Sequence, residues 1–151
     1  MEKEGKTLTT FRFRTVIPVR FRDIDALGHV NNSVYLTYFE IARTDYFSAA
    51  LGKVHTLEDI SIVVAESHCR YRLPILYGER LVAEIGIGAV RSRSFEILYR
   101  LRTGDDDRLA AEGSTVQVAV DQHTKRVTTL DLAFIATVRA FEEREDAVTV
   151  D

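Results

Sequence analysis

The sequence predicts an α+β fold: an antiparallel sheet curled around one long, mostly apolar helix. Three observations predict it. Residues 33–51 read as a single helix whose polar positions Ser33, Thr37, Glu40, Thr44 and Ser48 fall three or four apart, in one narrow stripe. After that helix come strand-like runs at about 60–73, 80–91, 94–102 and 109–120. Short turn signals separate most of these runs, so the strands follow one another in hairpin succession. A sheet that covers most of a helix has to curl around it. One sheet cannot cover every side of so apolar a helix, so a second copy of the chain is expected to help.

The elements follow in order. Residues 1–10 read as a polar, frayed tail. From Phe11 the pattern alternates, with Phe11, Phe13, Ile17, Val19 and Phe21 on one face and Arg12, Arg14, Arg20 and Arg22 on the other. Pro18 removes a ladder donor, which places this strand at an edge or a bulge. Residues 23–32 are a turn-rich loop with Asp23, Asp25, Gly28, Asn31 and Asn32. Asn31 or Asn32 caps the helix, and Gly52 ends it. Residues 53–59 connect to the strand at 60–73, which carries Glu66, His68, Arg70 and Arg72 on one face and Cys69, in the core, on the other. Pro74 and Tyr77-Gly78 mark a break. In the next strand Leu81, Ala83, Ile85, Ile87 and Ala89 share a face, and Gly86 and Gly88 lie opposite, where a close approach by another backbone is expected. Arg91-Ser92-Arg93 turns into a strand with Phe95, Ile97, Tyr99 and Leu101 aligned. Gly104–Asp107 turns into another, with Val116, Val118 and Val120 aligned. A second helix is expected at about 130–144, with Leu132, Ile135, Ala136 and Phe141 inward, before a loose end at 145–151.

The bulk properties narrow the class. A chain of 151 residues fits one domain, 1–151, with a real core. The net charge of −3 gives no global attraction for nucleic acid, so the arginine row before Pro18 reads as a solvated face. One cysteine, Cys69, excludes an internal disulfide and fits a reducing compartment. The start is too polar for a signal peptide, and no apolar run reaches membrane-spanning length. The expectation is a soluble cytoplasmic protein. His29, His55, His68 and His123 lack ligand spacing, so no metal is expected. There is no Gly-rich phosphate loop, and no cofactor is expected.

The loop feeding the helix carries the chemistry. A helix start presents unpaired amides and positive potential, a ready place to polarise a carbonyl. The stretch 20–47, RFRDIDALGHVNNSVYLTYFEIARTDYF, resembles the signature of hot-dog fold acyl-CoA thioesterases of the 4-hydroxybenzoyl-CoA thioesterase group. Asp-x-Asp, Gly-His-Val-Asn-Asn, and a tyrosine and Glu-x-x-Arg on the helix carry the likeness. The resemblance implies an antiparallel sheet wrapped around a central helix, and assembly as homodimers or homotetramers with active sites between subunits. It implies that Asp25 is the catalytic carboxylate and that the Asn32 backbone N–H polarises the carbonyl. The loop is also similar to that of plant acyl-carrier-protein thioesterases, in which an aspartate and a histidine are catalytic. Asp25 and His29 match those positions, and Leu27 stands where an asparagine lies between them. The turn Arg91, Ser92, Arg93, Ser94 resembles the family's coenzyme A-contacting hairpin.

Other readings stand beside these. Asp23 reads as a loop or salt-bridge residue. Glu40 and Arg43 read as structural, paired or at a subunit contact, and Glu66 with His68 as a strand face. The expected substrate is an acyl-CoA or acyl-carrier-protein thioester. A leaving thiol with a pKa of about 8.5 needs no strong general acid. The alternatives are a hot-dog hydratase or dehydratase, whose helix-entry motif is not found here, and a non-catalytic acyl-CoA-binding protein, in which the carboxylate would be unnecessary.

Overall fold

The computed structural model describes residues 11–52 and 61–143, and the backbone of 149–150. Its elements are β1 (Phe13–Ile17), α1 (Tyr35–Leu51), β2 (Ile62–Tyr71), β3 (Leu81–Val90), β4 (Ser94–Thr103), β5 (Arg108–Ala119), α2 (Leu132–Glu142) and β6 (Thr149–Val150). They form one sheet in the order β2-β5-β4-β3-β1-β6. All pairings are antiparallel except β1 with β6. The tail at 1–10 and the connection at 53–59 lie outside the described residues.

Helix α1 lies against the inner face of the sheet. It buries Tyr35, Tyr38, Phe39, Ala42 and Tyr46, a stripe with helical spacing. The opposing rows are apolar on β3 and β4: Leu81, Ala83, Ile85 and Ile87, then Phe95, Ile97, Tyr99 and Leu101. Phe39 stacks flat on Tyr99, with ring centroids 4.3 Å apart. Beside Tyr99 in the ladder lies Gly113. A Cβ there would stand 2.7 Å from the Phe39 ring and 2.2 Å from the His68 carbonyl oxygen, so the helix and β2 need glycine at this point. The sequence pattern pointed to Gly86 and Gly88 for close approach; the tightest contact is at Gly113.

Helix α2 packs against α1 and against Phe13 and Phe95 of the sheet. Asp131 caps it by accepting the Ala133 N–H at 2.9 Å. Phe141 packs edge-on against Tyr46, and Phe134 against Phe47 and Phe95. Beyond Phe13, β1 no longer covers β3, and there the Ile87 N–H donates to the Glu142 carboxylate at 2.6 Å. The Tyr46 hydroxyl donates to the same oxygen.

Several expectations are corrected. The first strand ends at Ile17, because Pro18 stops the ladder and the chain turns at Phe21–Asp23. Phe21 is therefore 79% exposed instead of inward. In α2, Leu132 and Ala136 face solvent, while Ile135, Val138 and Phe141 face in. β2 and β3 do not form a hairpin: β2 crosses to pair with β5, and β3 lies beside β1. The inward row of β5 is Thr115, Gln117 and Ala119, so Val116 and Val118 face outward. At the expected loose end, Thr149 and Val150 pair with Arg14 and Thr15.

Candidate active site

The loop between β1 and α1 is built on Asp23. This residue is 2% exposed, and its carboxylate accepts from the Arg20 guanidinium at 2.9 Å, the Arg20 N–H at 3.0 Å and the Tyr38 hydroxyl at 2.8 Å. Burial alone would raise its pKa. The hydrogen bonds from Arg20 and Tyr38 and the charge of Arg20 more than offset that and hold it below the usual carboxylate range. The Asp23 carbonyl accepts the Asn31 N–H at 2.8 Å, which closes the loop at its base. Asp23 is thus the frame of the loop, as its salt-bridge reading expected.

Above that base the chain makes a small hairpin. Ile24 bridges Val30, and the Asp25 N–H donates to the His29 carbonyl at 2.8 Å. The Gly28 N–H donates to the Asp25 carbonyl at 3.0 Å, and Gly28 takes a φ of +85° to make the turn. One Asp25 oxygen accepts the Leu27 N–H at 2.9 Å, fixing the side chain. The loop docks on the 74–77 segment through Val30 N–H to the Ile75 carbonyl at 2.9 Å, and through a His29–Leu76 bridge. Asp25 and His29 are therefore adjacent, and the contacts of His29 in this frame are made by its backbone.

The helix start follows directly. Asn31 is the cap: its side-chain oxygen accepts the Ser33 N–H at 2.9 Å and the Ser33 hydroxyl at 2.7 Å. A 3-10 turn, Asn32–Val34, then leads into α1, and Gly52 ends it at a φ of 72°. The Asn32 N–H has no acceptor among the described residues. The preceding carbonyl, of Asn31, accepts the Val34 N–H at 2.9 Å, which aligns that peptide with the helix. The Asn32 carbonyl accepts the Tyr71 hydroxyl at 2.9 Å. Tyr71 also meets Tyr35 edge-on at 4.8 Å. The Tyr35 phenol is pushed up to about 12, by burial first, with the nearby groups Cys69, Tyr71 and Asp25 adding to it. The aromatic ring pair at the helix start was not legible in the sequence, since Tyr71 lies 39 residues after Asn32. Around the site Phe21, Leu27, Leu73, Leu76 and Tyr77 form an exposed apolar rim.

The family pattern described as the thioesterase-like superfamily matches residues 19–139. The chain belongs to this superfamily. A solved structure from Thermus thermophilus, a thioesterase complexed with coenzyme A and Zn, shares this superfamily member's fold with a TM-score of 0.79. It is 33% identical and covers 94% of this chain and 98% of its own. The long-chain acyl-CoA thioesterase FadM of Escherichia coli (strain K12) is 24% identical over 119 residues, 78% of this chain and 90% of FadM. YsmA of Bacillus subtilis (strain 168) is 33% identical over 91 residues, 60% of this chain and 61% of YsmA, so that match spans less than two thirds of YsmA.

The superfamily member's other candidates lie elsewhere. The Arg91–Ser94 turn is exposed apart from half-buried Ser94 and joins β3 to β4. Its carbonyls hold Ala119 and Leu130 N–H groups. Along the ladder, Ser94 is level with Val118 and Ile62 with Ala119, whereas Tyr71 is level with Ala111. The turn is thus at the opposite end of the sheet from Tyr71 and the Asp25 loop, about 25–30 Å away along the strands. Asp25 and Arg91–Ser94 do not meet within one chain. Among the described residues no group of three or more His, Cys, Asp or Glu could hold a metal ion. No helix of the described chain is long and apolar enough to cross a membrane.

Proposed function

We propose that this protein is an acyl-CoA thioesterase that hydrolyses a thioester to a free acid and coenzyme A. The observation that supports the reading is the closed loop that carries Asp25, paired with His29, immediately before a helix start whose Asn32 N–H lacks an acceptor among the described residues. A thioester carbonyl lying against that amide is polarised by it and by the helix dipole. Asp25 supplies the attacking oxygen, its own or that of a water it deprotonates. Each route passes through a tetrahedral oxyanion that collapses to expel the thiolate. Attack by water gives the free acid at once, whereas attack by Asp25 leaves an acyl–aspartyl anhydride that a water then hydrolyses to the free acid and the carboxylate. Family membership and the likeness to FadM and the Thermus thioesterase support this substrate class. A cytoplasmic setting suits a chain whose one cysteine, Cys69, is free.

The reading includes a homodimer. β2 is a ten-residue edge strand exposed on both faces for most of its length, with Val63, Val64 and Tyr71 open to solvent. So long an unprotected edge is a template for pairing. Two-fold pairing of β2 with its copy runs antiparallel and brings the Ile62 end of one chain to the Tyr71 end of the other. The second copy's Arg91–Ser94 turn then shares an end of the joined sheet with the first copy's Asp25. Its forked guanidinium donors suit the phosphates of coenzyme A.

The test is Asp25→Asn, which keeps the shape and removes the charge. With melting temperature and mass retained, kcat on acyl-CoA substrates should fall by at least about 10². Undiminished turnover would refute the role of Asp25 and with it the mechanism.

A further inference from the structure

A cleft of about 630 Å³ opens between the middle of α1 and the start of β2, within the range of small-molecule sites. It begins at Glu40, about 12 Å along the helix from Asn32 at 1.5 Å per residue. Ser33, Thr37, Glu40 and Thr44 form one exposed stripe joining the two places. The walls are Phe47, Ile62, Val63, Val64 and Val120. Gln117, 0% exposed, lines the floor, and Thr115, 1% exposed, lies next to it in the core. They belong to a directed chain of hydrogen bonds. Arg43 donates to the Tyr99 hydroxyl at 3.2 Å, and the Tyr99 and Thr115 hydroxyls are 2.7 Å apart. Thr115 reaches the Gln117 amide, whose nitrogen in its better orientation donates to the Phe95 and Thr115 carbonyls at 3.2 and 3.3 Å.

A buried polar chain of this kind is costly unless each member is satisfied, and its satisfied end is the core. Its other end is Arg43, which lines the cleft and carries five donors, of which the chain uses one. Resting on the thioesterase reading above, we propose that this cleft receives the far end of the acyl group, and that Arg43 selects acyl groups bearing an oxygen there. Hydroxyl and carboxylate tails share the accepting chemistry. A plain alkyl tail of the same length would strip water from the guanidinium and return no hydrogen bond. Tyr99, Thr115 and Gln117 act through Arg43 as positioning residues.

The experiment compares three acyl-CoAs of equal chain length: unsubstituted, ω-hydroxy and ω-carboxy. The readout is kcat/KM for free thiol release. The wild-type protein should favour at least one oxygenated substrate by about 10-fold or more. Whichever oxygenated arm leads identifies the tail. Arg43→Met should bring that ratio close to one, and Tyr99→Phe, which leaves Arg43 without its support, should lower it part-way. Circular dichroism melts report whether each variant folds, and Tyr99→Phe decides the matter if Arg43→Met does not. A wild-type protein that hydrolyses all three without preference overturns this proposal alone. So does a ratio that the folded variants leave unmoved. No hydrolysis in any arm overturns the thioesterase reading and this proposal with it.

Discussion

Asp23→Asn tests whether the loop depends on a buried carboxylate. The substitution preserves volume and one acceptor oxygen, but it turns the other acceptor into an NH₂ group. Oδ1 now accepts the Arg20 guanidinium at 2.9 and 3.2 Å, and Oδ2 accepts the Tyr38 hydroxyl at 2.8 Å and the Arg20 N–H at 3.0 Å, so the NH₂ group must face one of these two sets of donors. The guanidinium is half-exposed and returns to water at little cost. The main loss is one hydrogen bond to a charged acceptor and the frustration of a buried donor, together about 2–3 kcal/mol. For a domain of this size that is a fall in Tm of roughly 4–12 °C. The pH dependence has a definite sign. The folded carboxyl lies below its ordinary value, because hydrogen bonds from Arg20 and Tyr38 outweigh the burial that raises it. Its contribution is present above the unfolded value of about 3.9 and is lost as pH falls through the lower folded value. Melts followed by circular dichroism at pH 7 should therefore separate wild type from Asp23→Asn, and the gap should close below about pH 4. Equal melting temperatures at pH 7, or a gap that persists unchanged into acid, would refute this account of the loop. The kcat loss should be well below that of Asp25→Asn, since Asp23 holds the loop without facing the reacting carbonyl.

Gly113→Ala should destabilise the fold by about 1–3 kcal/mol, read as a lower urea midpoint, because its Cβ would stand 2.2 Å from the His68 carbonyl oxygen and 2.7 Å from Phe39. Charge reversal at Arg91 and Arg93 should raise KM for acyl-CoA more than it lowers kcat, and an unchanged KM would remove that turn from the site. Light scattering at micromolar concentration should give at least a dimer, and a monomeric mass would refute the pairing of β2 edges.

Much of the protein could be read along the chain because the signals are local. The apolar pattern of 35–51, the Asn31 cap and the Gly52 stop act within one or two helical turns, and α1 forms where they place it. The turn formers around Gly28 likewise pair Asp25 with His29 in the loop before the helix, through bonds spanning at most eight residues. The tertiary structure decided what depends on distant partners. Alternation shows that two faces exist, but which one is inside depends on where α1 lies, so β5 turns Thr115 and Gln117 inward and its valines outward. The neighbour of β2 is β5 and not β3, a pairing that local turn signals do not encode. That choice brings Tyr71 to Asn32 and sets Arg91–Ser94 at the far end of the sheet. It also leaves a long bare edge and opens the cleft beside Arg43. Local spacing determined which atoms could do chemistry. The long-range closure of the sheet decided which of them meet, because strand neighbours are fixed by the burial of whole faces and not by the residues between them.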